Sequence, residues 1–163
     1  MTVMALSVAL AMVLSFIETL IPPLAFIPGV KLGLANIVTV YLLYTLGAGA
    51  AGAVSLVRVL LSALLFGTVQ SLIFSLSGAI LSFAVMLVVK NFLPFGTVGT
   101  SVLGGVAHNA GQTVAAIFVM GTAEIAYYFI PLVISGTLAG VGVGIVAGII
   151  INRINKPNSK SKK

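Results

Sequence analysis

The sequence contains no cysteine, no tryptophan and no aspartate, and only 6% of its 163 residues are charged. Without cysteine, the chain can form neither a disulfide framework nor a thiolate metal site. Soluble domains carry about 25% charged residues. Two glutamates and eight lysines or arginines are too few to cover a surface that faces water. The absences therefore predict a protein whose main solvent is lipid.

The same absences narrow the chemistry that the chain can perform. With two glutamates, one histidine and no aspartate, it cannot assemble a carboxylate pair, a metal cage or a Ser-His-Asp triad. Its glycine patterns lie in apolar runs, where they do not form phosphate-binding loops. We therefore expect that the chain is not an enzyme by itself and that it holds neither a metal nor a resident cofactor.

Apolar residues make up 60% of the sequence, and the mean hydropathy is +1.28. A membrane-spanning helix needs about 20 apolar residues, and the sequence predicts about six spans. They cover approximately 3–21, 32–46, 53–67, 72–92, 97–120 and 126–152. The second is short, so the main alternative has five full spans, with 32–46 only dipping into the membrane. Since all connections are short, we predict an all-α integral membrane protein with one domain over 1–155 and a basic tail over 156–163.

The positive charges are distributed unevenly along these spans. Six spans would place both termini on one side, together with Lys90, Arg153 and the four lysines of the tail. The other side would receive Glu18, Lys31 and Glu124. Because cytoplasmic loops collect lysine and arginine, the pattern predicts that both termini are cytoplasmic. The net charge of +6 then reflects membrane topology, and we expect no nucleic-acid partner.

Small residues recur at helical spacing in two of the spans. In the sixth span, glycines at every fourth position form a smooth stripe that predicts close packing within the bundle. These are Gly136, Gly140, Gly144 and Gly148. In the first span, Ala5 and Ala9 form a second pair at this spacing. That pair fits either an internal helix contact or the docking of another subunit.

The stretch GGVAHNAGQT, residues 104–113, holds the only histidine of the chain within the fifth span. At about 100° per residue, five residues share one face of this helix, and the opposite face is apolar. They are Ser101, Gly105, His108, Asn109 and Gln112. Polar groups deep in lipid are costly and often functional. Two interpretations stay open: hydrogen bonds between helices, worth about 0.6–2 kcal/mol each, or the wall of a binding site.

Arg58 lies near the middle of the third predicted span. A guanidinium in this position needs an anionic partner or a water-filled cavity. The chain offers only Glu18 and Glu124 as acidic partners. An ion pair between Glu18 and Arg58 is therefore one interpretation, and the anionic group of a ligand at Arg58 is the other.

The segment IPPLAFIPGVKLGLANI, residues 21–37, separates the first two spans. Its three prolines and Gly29 exclude a continuous helix, and Lys31 and Asn36 flank its return to the membrane. Such an apolar segment is unlike a water-exposed loop. We expect it to fold over the outer end of the bundle, either as a capping loop or as a movable lid, where protein or a cavity satisfies its backbone.

Four stretches together resemble the Gx transporter family, whose members are often labelled heptaprenyl diphosphate synthase component I. They are PGVKLGLANI, SLVRVLLSALLFGT, GGVAHNAGQ and YYFIPLVISGTLAG. The family is similar to the substrate-binding S components of energy-coupling factor (ECF) transporters. The resemblance implies a six-helix protein of the bacterial cytoplasmic membrane that captures a small vitamin-like or isoprenoid- or quinone-related molecule from outside. Its implied partners are a coupling transmembrane subunit and two ATPases.

The resemblance places Ala5 and Ala9 where S components carry the AxxxA motif that meets the coupling subunit, and 22–31 where they carry a lid. Combined with the polar pattern, it predicts a ligand site with separate roles for its residues. We expect Arg58 and Lys31 to bind an anionic group, Glu18 to act as partner or gate, and polar side chains to orient the ligand. The orienting residues are His108, Asn109 and Gln112, and Asn36 is a further substrate-binding candidate.

Two other functions remain alternatives. Members of the family can occur beside genes for extracellular electron transfer and flavin attachment, which suggests a membrane subunit of a quinone- or flavin-linked electron-transfer system. The family label suggests a membrane accessory of a prenyl diphosphate synthase. The accessory would be non-catalytic, because such synthases hold magnesium with aspartate-rich motifs and this chain has no aspartate.

Overall fold

The computed structural model describes residues 2–21 and 32–154, and all regular secondary structure in these residues is helical. It contains α1 (Thr2–Leu20), α2 (Asn36–Thr45), α3 (Ala48–Phe66), α4 (Val69–Phe92), α5 (Thr97–Met120) and α6 (Phe129–Ile154), with a 3₁₀ helix, Ala123–Tyr128, before α6. Five of these helices are long and apolar enough to cross a membrane. The predicted all-α membrane bundle is therefore confirmed. The expected lid, including Lys31, and the basic tail lie outside the described residues.

The second predicted span differs in length from the helix that the chain forms. The helix α2 begins at Asn36 rather than at Leu32 and has 10 residues, about 15 Å, which is half of a hydrocarbon core of about 30 Å. A turn precedes it, in which the Asn36 N–H donates to the Gly33 carbonyl at 2.8 Å. Gly33 has a φ of 69°, the left-handed region that glycine enters readily. The second predicted span is therefore a helix, as expected, but it covers fewer residues than 32–46, and five of the described helices are long enough to cross a membrane.

Although short, α2 forms the centre of the hydrophobic core. Val40, Leu42 and Leu43 are fully buried, and they belong to one cluster with residues of α1, α3, α4 and α6. The helix packs against α1, α3, α5 and α6, whereas α1 contacts only α2 and α3 among the described elements. Thus α1 lies at the periphery of the bundle and α2 lies inside it.

The helix directions place the start of α1 and the end of α6 at the same end of the bundle. Ser62 Oγ lies 3.5 Å from Met12 Sδ, and the rings of Phe16 and Phe66 have centroids 5.3 Å apart. In both contacts, the two residues are separated by the same number of positions in the sequence. A later residue of α1 thus meets a correspondingly later residue of α3, so the two helices run parallel. The helices α3 to α6 then alternate in direction, as their close glycine contacts show. We call the end that holds the start of α1 and the end of α6 the terminal end and the opposite end the cavity end.

Apart from Arg58 in the middle of α3, the described charged side chains of opposite sign lie toward opposite ends of the bundle. Lys90 and Arg153 lie in the last turns of α4 and α6, at the terminal end. Glu18 lies in the last turn of α1, and Glu124 lies in the 3₁₀ helix, both toward the cavity end. This arrangement agrees with the charge asymmetry read from the sequence. That the terminal end faces the cytoplasm stays a prediction.

The glycine stripe of α6 packs directly on the backbone of α5. A Cβ added to Gly140 would lie 2.6 Å from the Cα of Val102, and one added to Gly144 would lie 2.5 Å from the Cα of Val98. A Cβ added to Gly105 of α5 would in turn lie 2.7 Å from the Gly136 carbonyl oxygen. The predicted close packing within the bundle is confirmed, and it brings α5 and α6 into backbone contact.

Lys90 anchors the C-terminal end of α2 at the terminal end of the bundle. Its Nζ donates a hydrogen bond to the Leu43 carbonyl and lies 5.4 Å from the ring centroid of Tyr44. The Tyr44 hydroxyl is 2.7 Å from Thr100 Oγ1 on α5. The cation thus complements the negative end of the α2 dipole and the face of an aromatic ring.

We expect Lys90→Met to lower the free energy of unfolding by about 1–2 kcal/mol, because it removes the dipole and cation–π interactions together. Thermal unfolding in detergent measures the change. Arg153→Met is the matched control, since Arg153 is an exposed cation in the last turn of α6. Equal shifts for the two variants would show that Lys90 does not anchor α2.

Candidate functional site

A cavity of about 360 Å³ lies between the N-terminus of α2 and the cavity end of the bundle. Its wall combines the last turns of α1, the first residues of α2, the second half of α3, the start of α4 and the middle of α5 and α6. The short α2 creates this space, because its core residues fill the half of the bundle at the terminal end. Ligand sites for small molecules have volumes of about 300–1,000 Å³.

The structure brings most of the predicted site residues to this one cavity. Its lining includes Glu18, Asn36, Arg58, His108, Asn109 and Gln112, contributed by α1, α2, α3 and α5. Lys31, the remaining candidate, lies outside the described residues. The shared location supports the grouping made from the sequence, while a role in binding a ligand stays a prediction.

The polar stripe of α5 faces the cavity along its full length. All five residues that share the predicted face line the wall, from Ser101 to Gln112. Asn109 is only 9% exposed, and its Nδ2 donates to the Leu132 carbonyl of α6 at 2.6 Å. Asn109 therefore links two helices, as the first interpretation of the stripe proposed. His108 and Gln112 are half-buried on the cavity wall, where a ligand can reach them.

Arg58 carries the positive charge of the described cavity wall. Its Nη1 lies 3.5 Å from Ser15 Oγ of α1, and its buried Nε has no hydrogen-bond partner among the described residues. Glu18 attracts the guanidinium electrostatically, yet its carboxylate accepts a hydrogen bond from the backbone N–H of Gly33. Both side chains line the cavity, and no hydrogen bond joins them within the described chain.

Several hydroxyl groups of the cavity wall were not among the predicted site residues. Ser15 and Thr19 of α1 line it, as do Ser71 and Ser75 of α4. Each pair has the i, i+4 spacing that places side chains on one face of a helix. That spacing is the signal in the sequence that would have identified them.

The chemistry of the wall suits binding. It combines one guanidinium, one carboxylate, an imidazole, amides and hydroxyls with apolar surface from Val59, Phe66 and Val143. Among the described residues, no group of three or more His, Cys, Asp or Glu side chains is arranged to hold a metal ion. A mainly apolar pocket with a few convergent polar groups is the usual form of a small-molecule site.

The candidate docking residues Ala5 and Ala9 lie on the outer face of α1. Both are exposed, and they are flanked by strongly exposed apolar residues such as Leu6 and Leu10. Among the described residues, the pair therefore faces away from the bundle, toward lipid or another subunit.

Comparison with known proteins gives one family match. No curated protein and no solved structure matches the chain. The family model described as heptaprenyl diphosphate synthase component I matches residues 7–150, a range that includes every described residue lining the cavity. The family expected from the four sequence stretches is thereby confirmed, and the resemblance to ECF S components stays a prediction. The chain belongs to the heptaprenyl diphosphate synthase component I family.

Proposed function

We propose that the chain is the substrate-binding membrane component of an ECF-type uptake transporter. It captures a small vitamin-like, isoprenoid-related or quinone-related molecule with an anionic group in the cavity at the cavity end. The observation that carries this proposal is the Arg58 guanidinium on the cavity wall. Its Nε has no hydrogen-bond partner among the described residues.

Arg58 is suited to an anion with two oxygens. A guanidinium presents its donors in a planar fork that fits carboxylates and phosphates in a bidentate manner. Among the described residues, the hydrogen bond of its terminal nitrogens is a long one, 3.5 Å from Nη1 to Ser15, so we expect a ligand anion to compete for these donors. His108 and Gln112 lie on the α5 wall of the same cavity. Their side chains supply hydrogen bonds that orient the rest of the molecule.

Transport in this proposal is powered by other subunits. Almost every described residue belongs to a membrane bundle or its short connections, and the sequence lacks the residues for ATP hydrolysis. The exposed Ala5 and Ala9 on α1 form a small-residue surface that lets a helix of a coupling subunit approach closely. Two ATPases then act through that subunit, as in the S-component resemblance.

The double variant Ala5→Leu with Ala9→Leu tests this docking. We expect it to reduce the coupling and ATPase subunits recovered with the purified protein by about tenfold or more, since bulky residues at the centre of a contact cost most. Val3→Leu with Leu10→Phe is the matched control, because both residues are more than half exposed on the same helix and lie about 100° or more around it from the two alanines. Normal recovery of the coupling and ATPase subunits with the variant that carries leucine at both alanine positions would contradict the docking surface and, with it, the transporter proposal.

The family match favours a second candidate, a non-catalytic membrane accessory of a prenyl diphosphate synthase. The same purification separates the two candidates, because an accessory is recovered with a prenyl-transfer enzyme instead of ATPases. A flavin or quinone absorbance in the purified protein would instead support the electron-transfer alternative.

A further inference from the structure

The cavity holds one positive and one negative side chain among its described lining residues, Arg58 and Glu18. We infer that Glu18 is a specificity determinant, which makes the cavity select ligands with a single negative charge, such as carboxylates, over phosphate monoesters and diphosphates. This inference rests on the proposed function, because it takes Arg58 as the anchor for the anion.

Glu18 is held in place at the cavity wall. Its Oε1 accepts a hydrogen bond from the backbone N–H of Gly33, and the Gly33 carbonyl accepts the N–H of Asn36 at 2.8 Å. The turn that starts α2 thus fixes the carboxylate. Since no described hydrogen bond joins Glu18 to Arg58, a ligand can occupy Arg58 without displacing Glu18. The negative charge of Glu18 therefore remains beside a bound anion.

The two side chains act oppositely on a ligand anion. Arg58 attracts each negative charge of the ligand, and Glu18, on the wall of the same cavity, repels each one. Because Glu18 offsets much of the attraction, the second charge of a phosphate monoester gains little from Arg58. Removing the doubly charged phosphate from water still costs more free energy than removing a group with a single charge. A diphosphate carries more charge and is disfavoured further, so the cavity is poorly suited to prenyl diphosphates.

Three small aromatic probes that differ mainly in charge test the inference: benzoate, phenyl phosphate and benzamide. At pH 8, phenyl phosphate is a dianion, because the second pKa of a phosphate monoester is about 6. Titrations followed by thermal stabilisation in detergent give the dissociation constants. For the unmodified protein, we expect benzoate to bind at least about tenfold more tightly than phenyl phosphate.

Glu18→Gln removes the negative charge and keeps an oxygen that can accept the Gly33 N–H. Relative to the unmodified protein, this variant then binds a probe about tenfold more tightly for each negative charge that the probe carries. We therefore expect binding to tighten about tenfold for benzoate and about a hundredfold for phenyl phosphate, while benzamide is unchanged. Glu124→Gln is the matched control, because Glu124 is exposed on the 3₁₀ helix and absent from the described cavity lining. Glu18→Ser provides a second neutral variant if Glu18→Gln does not fold.

The Arg58→Gln variant separates failure of this inference from failure of the proposed function. If no probe stabilises the unmodified protein at millimolar concentration, or if Arg58→Gln leaves benzoate binding unchanged, the anion site itself is wrong. If Arg58→Gln abolishes benzoate binding but neutral residues at Glu18 leave the ratio of the two anion affinities unchanged, only the selectivity is wrong.

Discussion

Gly144→Ala lowers the melting temperature of the detergent-solubilised protein by about 5–10 °C, which corresponds to a loss of about 2–3 kcal/mol. The added methyl group would lie 2.5 Å from the Cα of Val98 and 3.0 Å from the carbonyl oxygen of Thr97. Both atoms belong to the backbone of α5, so no side chain can rotate away to make room. The two helices must separate along their contact, which loosens the scaffold of the cavity wall.

Gly142→Ala supplies the matched control for this prediction. It lies on the same helix, is exposed, and a Cβ added there would meet no atom within 4 Å. Alanine also has a higher helix propensity than glycine by up to about 1 kcal/mol, so the melting temperature should stay constant or rise. Similar losses for both variants would mean that the intrinsic preferences of α6, and not its contact with α5, decide its stability.

The fold could be predicted from the sequence where the signal is local. The four-residue period of glycines in α6 predicted a close helix contact without knowledge of its partner, and the structure identifies that partner as α5. The length of α2 could not be predicted in this way. Residues 32–35 are mostly apolar, as a membrane helix would be, but they form a turn in which Gly33 has a positive φ. Hydropathy alone does not distinguish an apolar turn from an apolar helix.

The candidate site could be predicted only as a set of residues. The polar face of α5 follows from helical periodicity, and Arg58 stands out because charge is rare in this chain. The sequence could not show whether Glu18 would pair with Arg58, because the answer depended on the turn before α2. In that turn, the Gly33 N–H donates to the Glu18 carboxylate in place of Arg58. The hydroxyl groups gave a weak signal because serine often bonds within its own helix. Ser7 does so with the Val3 carbonyl at 2.8 Å, whereas Ser15 contacts Arg58.

Arg58→Gln removes ligand binding while it preserves the fold. A bidentate anion makes two charge-assisted hydrogen bonds with a guanidinium, each worth about 1.5–3 kcal/mol. Their loss therefore weakens binding by about a hundredfold or more. Native mass spectrometry of gently purified protein measures this change as the loss of a retained small molecule. Arg153→Gln is the matched control, because Arg153 is an exposed arginine at the terminal end, away from the cavity.

The melting temperature without ligand decides between a binding role and a structural role for Arg58. The buried Nε has no hydrogen-bond partner among the described residues, and an arginine that is incompletely paired in the bundle costs desolvation energy without full compensation. Glutamine avoids the cost of a buried charge, so we expect an unchanged or higher melting temperature for the ligand-free variant. A strong loss of stability together with normal ligand retention would identify Arg58 as a structural partner of α1. Stable protein without ligand is the combination that only a binding residue produces.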